Sequence, residues 1–227
     1  MYSLIIFDLD GTLAHTAPDL LATLNRVTAP HNIAPMNISH IGQIIGQGAK
    51  AMIAKAFEIE NTPLPAELHA ILFEAFLADY FENLANETHL FDGVLDAMDA
   101  LEAQGFEFAI CTNKKHSMAV PLLEQLDVSH RFKAITGGDS FDFKKPDARH
   151  LIETAKLAGH EIAHSIMIGD SETDINAAKN ASIPSVAVTF GYTTIPAEEL
   201  GADHVIDTFA KLPDAIRLIL DQSNCSS

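Results

Sequence analysis

Two aspartates, Asp8 and Asp10, stand one residue apart at the end of the apolar run Leu4-Ile5-Ile6-Phe7, with Gly11 and Thr12 directly after them. Carboxylates this close repel each other, and a cation or a shared proton relieves the repulsion. Other apolar runs also end in polar residues. Residues 106–111 lead into Thr112-Asn113-Lys114-Lys115, and residues 134–136 into Gly137-Gly138-Asp139 and then Lys144-Lys145-Pro146. Residues 165–168 lead into Gly169-Asp170-Ser171-Glu172-Thr173-Asp174. Carboxylates, a hydroxyl, an amine and glycine-loosened turns form a chemically coherent set. One carboxylate can attack while its neighbour handles the proton. Thr112 and Lys145 can hold and neutralise a transferred phosphoryl group, whose chemistry needs positioning and charge stabilisation above all. Hard oxygen ligands in this number suit Mg²⁺, which keeps Asp8 ionised while Asp10 carries a proton.

The elements that must position these residues are legible from the hydrophobic pattern. Strand candidates are Leu4–Phe7, 106–111, 134–136, 165–168, 185–189 and His204–Ile206. Their near-continuous apolarity suits a parallel sheet covered on both faces. Helical stripes lie between them: Leu95, Met98 and Leu101 before Gly105; Leu122, Leu123 and Leu126; and Phe209, Leu212, Ile216 and Leu220. This alternation predicts a doubly wound α/β fold, in which ligands sit beyond the carboxyl ends of the strands. Residues 12–91 show no strand pattern. They carry helical periodicity instead, in Ala49, Met52, Ile53, Ala56 and Phe57 and again in Leu68, Ile71, Leu72, Ala75 and Phe76, with Pro63-Leu64-Pro65 between. An all-helical insertion that leaves the sheet after the first strand and returns before the second is the expected organisation.

The 227 residues are 48% apolar and 20% charged, an ordinary globular mix, but the net charge is -17. That balance argues against nucleic acid and anionic membrane as partners, since both demand basic surface; a well-solvated acidic surface is the simpler account. Of two cysteines, Cys111 reads as a small buried hydrophobe and Cys225 sits in a polar tail, so no disulfide scaffold is indicated. With no basic leader and no apolar run of membrane-spanning length, the expected location is the cytoplasm.

The strings FDLDGTL (7–13), CTNK (111–114), KKP (144–146) and GDSETD (169–174) resemble, in order and at successive strand ends, the four motifs of the haloacid dehalogenase-like superfamily. Within it, Phe91-Asp92-Gly93-Val94, the third-motif region and the stretch Ile45-Gly46-Gln47-Gly48-Ala49-Lys50 resemble the phosphoglycolate phosphatase branch. The resemblance implies a core of residues 1–14 and 91–227 with a helical cap of residues 15–90. It implies Asp8 as the nucleophile that becomes an aspartyl-phosphate, and Asp10 as acid and then base. It implies Mg²⁺ held by Asp8, the Asp10 carbonyl and Asp170, with Asp174 supporting from behind. Thr112 and Lys145 would bind phosphoryl oxygens, Asn113 would help through its backbone, and Lys50 could meet a substrate carboxylate. Asp10 points to phosphate esters, because the dehalogenases of the superfamily lack that second aspartate. Ala14-His15-Thr16 departs from the branch's Val-Asp-Ser and bears on substrate choice. Asp147 replaces nothing catalytic and suits a helix start. The implied substrate is a small phosphorylated metabolite, 2-phosphoglycolate first. A phosphosugar mutase, a phosphatase of sugar phosphates, nucleotides or pyrophosphate, and a catalytically silent binding module on the same fold are the rivals. The sequence does not give the oligomeric state.

Overall fold

The computed structural model describes residues 2–45 and 48–225; Gly46 and Gln47 of the expected cap loop lie outside them. In chain order, β1 (Leu4–Phe7) and β2 (Ala14–His15) precede α1 (Ala17–Thr28), α2 (Ile41–Ile44), α3 (Ala49–Ile59) and α4 (Ala66–Glu82). After β3 (His89–Leu90) come α5 (Val94–Glu102), β4 (Glu107–Cys111), α6 (His116–Gln125), β5 (Phe132–Thr136) and α7 (Ala148–Leu157). The chain ends with β6 (Ser165–Gly169), α8 (Glu172–Ala181), β7 (Ser185–Val188), β8 (His204–Ile206) and α9 (Leu212–Cys225).

All four side chains of β1 are fully buried, because the strand has a sheet neighbour on each edge and helices on both faces. The six-stranded sheet runs β5-β4-β1-β6-β7-β8, and every pairing in it is parallel. Alternate residues of β1 serve opposite faces. Ile5 and Phe7 join Phe108, Ile110, Ile166 and the apolar sides of α5, α6 and α9. Leu4 and Ile6 join Ala109, Cys111, Leu151, Ala155, Ala177 and Ala178, the last four from α7 and α8. Burial of each of these β1 side chains contributes on the order of 1.5–3 kcal/mol. The chain steps outward from β1 to β4 and β5, then returns to β6 on the other side of β1. The strand order therefore reverses beside β1, where open α/β sheets bind ligands.

The doubly wound sheet matches the expectation, and each apolar run became a strand. The interval 12–91 differs in one respect: β2 and β3 pair antiparallel, Ala14 opposite Leu90 and His15 opposite His89. Two residues per strand are too few for any periodicity to betray. This ladder joins the points where the helical excursion leaves and returns. Within it α3 buries Met52, Ile53, Ala56 and Phe57, as its spacing predicts. Helix α4 instead buries Leu72, Phe76 and Tyr80 and leaves Ile71 60% exposed. Likewise α5 turns Val94, Ala97, Met98 and Leu101 inward, with Leu95 46% exposed. Both helices carry more apolar residues than one face can hold, so their packing partners decide which are covered. Asp147 caps α7 by accepting from the Arg149 N–H at 2.9 Å.

Candidate active site

Asp8 extends β1 by one residue, its N–H donating to the Ile168 carbonyl of β6 at 2.9 Å. That bond fixes the carboxylate between the ends of two central strands. Lys145 donates from Nζ to Asp8 Oδ1 at 2.8 Å and to Asp174 Oδ1 at 2.6 Å, and its side chain is 1% exposed. The other oxygen of Asp174, Oδ2, accepts from the Ser171 hydroxyl at 2.6 Å and the Ser171 N–H at 3.1 Å, inside the first turn of α8. Asp170 accepts from Thr12 Oγ1 at 3.1 Å on Oδ1 and from the Tyr192 N–H at 2.6 Å on Oδ2. Gly11 passes beside it with φ +83°; a Cβ there would lie 2.6 Å from Asp170 Oδ2, so both backbone and space demand glycine.

Asp8, Asp170 and Asp174 each offer an oxygen within 4.8 Å of the others, and all three are buried. Burial, only partly offset by Lys145, pushes the Asp8 carboxyl up to about 6. Burial, with Asp174 and Asp8 adding repulsion, holds Asp170 well above the usual carboxylate range. For Lys145 burial opposes the charge, but Asp174 and Asp8 outweigh it and keep the ammonium above the ordinary lysine range. Among the described residues Lys145 pairs with Asp8 and Asp174 and no ammonium pairs with Asp170, so the three buried carboxylates leave a charge deficit that a hard divalent cation would balance. Asp174, with both oxygens already engaged, suits support of such an ion from behind.

Asp10 points elsewhere. Its two oxygens receive the Lys114 ammonium at 2.8 and 3.2 Å, and Lys114 also donates to the Tyr80 hydroxyl of α4 at 2.8 Å. Thr112, at the end of β4, is buried, donates its N–H to the Thr136 carbonyl at 3.0 Å, and accepts the Lys114 N–H on Oγ1 at 3.1 Å. Asn113 places its side chain on the Lys145 carbonyl, Nδ2 to O 3.0 Å, in addition to whatever its backbone offers. Lys144 is exposed where Lys145 is buried. Lys50 is exposed as well, its ammonium 4.7 Å from the Phe73 ring centroid, with Lys115 5.3 Å from the same ring. His15 shares a 3.0 Å hydrogen bond between Nδ1 and the Tyr192 hydroxyl, which accepts from the Ala17 N–H.

A cavity of about 350 Å³ lies at the strand ends, with His15 outside it. Asp8, Asp10, Thr112, Asn113, Lys145, Asp170 and Asp174 line it from the strand ends, and Lys50, Phe73, Phe76 and Tyr80 line it from the helices. Four contributors carried no assigned role in the sequence: Thr12, Tyr80, Lys114 and Tyr192. Lys114 and Thr12 sit inside motif strings and could have been found there. Tyr80 and Tyr192 lie in stretches without a local signal.

Residues 5–188 match the haloacid dehalogenase-like hydrolase family. The phosphoglycolate phosphatase of Agrobacterium fabrum is 46% identical over 94% of this chain and 91% of its own length. That of Caulobacter vibrioides is 38% identical, over 95% and 91%. A solved structure described as a predicted phosphoglycolate phosphatase from Haemophilus somnus superposes with a TM-score of 0.87 at 30% identity, covering 94% of this chain and 97% of that one. CbbY from Rhodobacter sphaeroides, solved in complex with phosphate, superposes at 0.78 with 25% identity, covering 93% and 96%. Among the described residues no helix is long and apolar enough to cross a membrane.

Proposed function

This chain belongs to the haloacid dehalogenase-like hydrolase family, and we propose that within it the protein hydrolyses 2-phosphoglycolate through an aspartyl-phosphate on Asp8. It is a phosphoric monoester hydrolase. The observation that carries the finer reading is the placement of Asp8 at the switch point, one oxygen engaged by Lys145 and the other, Oδ2, without a donor among the described residues. Such an oxygen is available to attack phosphorus in line.

In this reading residues 15–90 cap a core made of 1–14 and 91–227, and the cavity lies between them. Asp8 attacks, the bond from phosphorus to the leaving oxygen breaks, and Asp10 delivers a proton to that oxygen. A water that gives its proton to Asp10 then attacks phosphorus, the bond to Asp8 breaks, and inorganic phosphate leaves. Lys145 and the Thr112 hydroxyl hold the equatorial oxygens, with Asn113 fixing Lys145 through its carbonyl. Lys50 and Lys115 flank Phe73 at the far side of the cavity, where a substrate carboxylate would lie. Mg²⁺, held by Asp8, the Asp10 carbonyl and Asp170 with Asp174 behind them, would neutralise charge on the transferred group. A reducing cytoplasmic location belongs to the same reading, in keeping with the free, buried thiol of Cys111.

The test is phosphate release from a panel of phosphorylated metabolites with Mg²⁺, for wild type and Asp8→Asn together. The expected result is a strong preference for 2-phosphoglycolate that Asp8→Asn abolishes without loss of folding. A preference for sugar phosphates or nucleotides would refute the substrate and keep the mechanism, and an active Asp8→Asn would refute the nucleophile. An isomerised product without phosphate release would favour the mutase.

A further inference from the structure

Lys114 is an ammonium with little exposure, its side chain 6% accessible, held between one residue of the sheet's first loop and one residue of α4. It donates to Asp10 Oδ1 at 2.8 Å, with Oδ2 of the same carboxylate at 3.2 Å, and to the Tyr80 hydroxyl at 2.8 Å. The ammonium also lies 4.5 Å from the Tyr80 ring centroid. Tyr80 is 2% exposed and sits on the same face of α4 as Phe76, so its position is set by how that helix packs over the strand ends. Its hydroxyl is the contact through which α4 reaches Lys114.

We propose that Lys114 and Tyr80 are positioning residues for Asp10: Tyr80, carried by α4, seats the Lys114 ammonium, and Lys114 aims the Asp10 carboxyl at the leaving oxygen, so that proton delivery is complete only with α4 docked over the strand ends. This rests on the acid role given to Asp10 above. A lysine has four rotatable bonds, and both its packing partner and its acceptors must agree before it holds one geometry. An unsupported aspartate likewise swings about two torsions, and misplacement by an ångström is costly to a proton transfer. As Asp10 gives its proton to the leaving oxygen and the phosphorus–oxygen bond breaks, negative charge develops on its carboxyl directly beside the ammonium. Lys114 keeps all its protons throughout and stabilises that charge in place.

The experiment compares full-length wild type, Tyr80→Phe, Lys114→Met and Asp10→Asn, each with Mg²⁺, on 2-phosphoglycolate, simple alkyl phosphates and p-nitrophenyl phosphate. The nitrophenolate leaves without a proton, whereas the later attack of water needs Asp10 as base for every ester, so the rate read is leaving-group release in a single turnover, where only the alkyl esters report on the acid. Tyr80→Phe should lower the single-turnover rate of leaving-group release from the alkyl esters about tenfold and Lys114→Met about a hundredfold, with KM nearly unchanged and release from the aryl ester within about threefold of wild type. Asp10→Asn should show the same selectivity, enlarged. If Asp10→Asn slows leaving-group release from all esters alike, the acid reading itself fails and the proposal with it. If Asp10→Asn is selective but Tyr80→Phe and Lys114→Met slow every ester equally, the acid stands and the positioning role is overturned. A rise in KM confined to 2-phosphoglycolate would make Lys114 a substrate-binding group and also overturn it. Tyr80→Phe removes a single oxygen, and its thermal melt separates any folding loss from the kinetic effect should Lys114→Met fail to fold.

Discussion

Replacing Lys145 by methionine keeps most of the side-chain volume and removes the one ammonium that Asp8 and Asp174 share at 2.8 and 2.6 Å. Breaking a buried pair from one side costs about 3–5 kcal/mol. The site sets its own ceiling on that figure, because each orphaned carboxylate can escape by taking up a proton. Protonating a carboxyl whose unfolded pKa is about 3.9 costs roughly 4 kcal/mol at pH 7, at 1.36 kcal/mol per pH unit. Asp8 already stands at about 6 in the intact site, so its further contribution at neutral pH is small. In metal-free buffer the loss is about 3–5 kcal/mol at pH 7 and smaller at pH 5, because an orphaned carboxyl escapes by protonation at ~1.36 kcal/mol per pH unit. The sign follows from linkage. In the variant the orphaned carboxyl has a folded pKa above its unfolded one, so the penalty is absent at low pH and grows as pH rises. Thermal unfolding followed by circular dichroism with EDTA measures it, at about 2–4 °C per kcal/mol for a chain of this size. A variant within about 1 kcal/mol of wild type at pH 7, or a deficit that does not shrink toward pH 5, would refute the charge balance described here.

Three other outcomes are expected. EDTA should stop phosphate release and Mg²⁺ should restore it, and full activity after exhaustive chelation would eliminate the metal from the mechanism. Gly11→Ala should lower stability by about 1–2 kcal/mol through its left-handed backbone and turnover by roughly tenfold or more, because its Cβ intrudes on Asp170; unchanged kcat would show that Asp170 tolerates displacement. His150 is buried, accepts the Lys145 N–H on Nδ1 at 3.2 Å, and burial, then Lys145, lower its pKa to about 4. Its folded pKa lies below its unfolded value near 6.5, so stability is full above that pH and falls by about 3 kcal/mol as pH drops toward 4. In His150→Asn the slope of stability against pH across that window should flatten, which denaturant titrations at several pH values would detect.

Much of this protein was determined by short stretches of its sequence. A strand buried on both faces must be apolar throughout, so Leu4–Phe7 and its fellows announced the parallel sheet, and the polar residues just past each run fell together at the strand ends. Asp8, Thr112, Lys145, Asp170 and Asp174 are legible for that reason: topology brings strand ends together whatever the details of packing. Tertiary structure alone decided the rest. Two-residue ladders such as β2–β3 leave no pattern, and the exposure of Ile71 and Leu95 depends on what their helices pack against. The Asp10–Lys114–Tyr80 contact joins residues 104 and 34 positions apart. No local spacing encodes such a contact, because it exists only once α4 has packed across the mouth of the sheet.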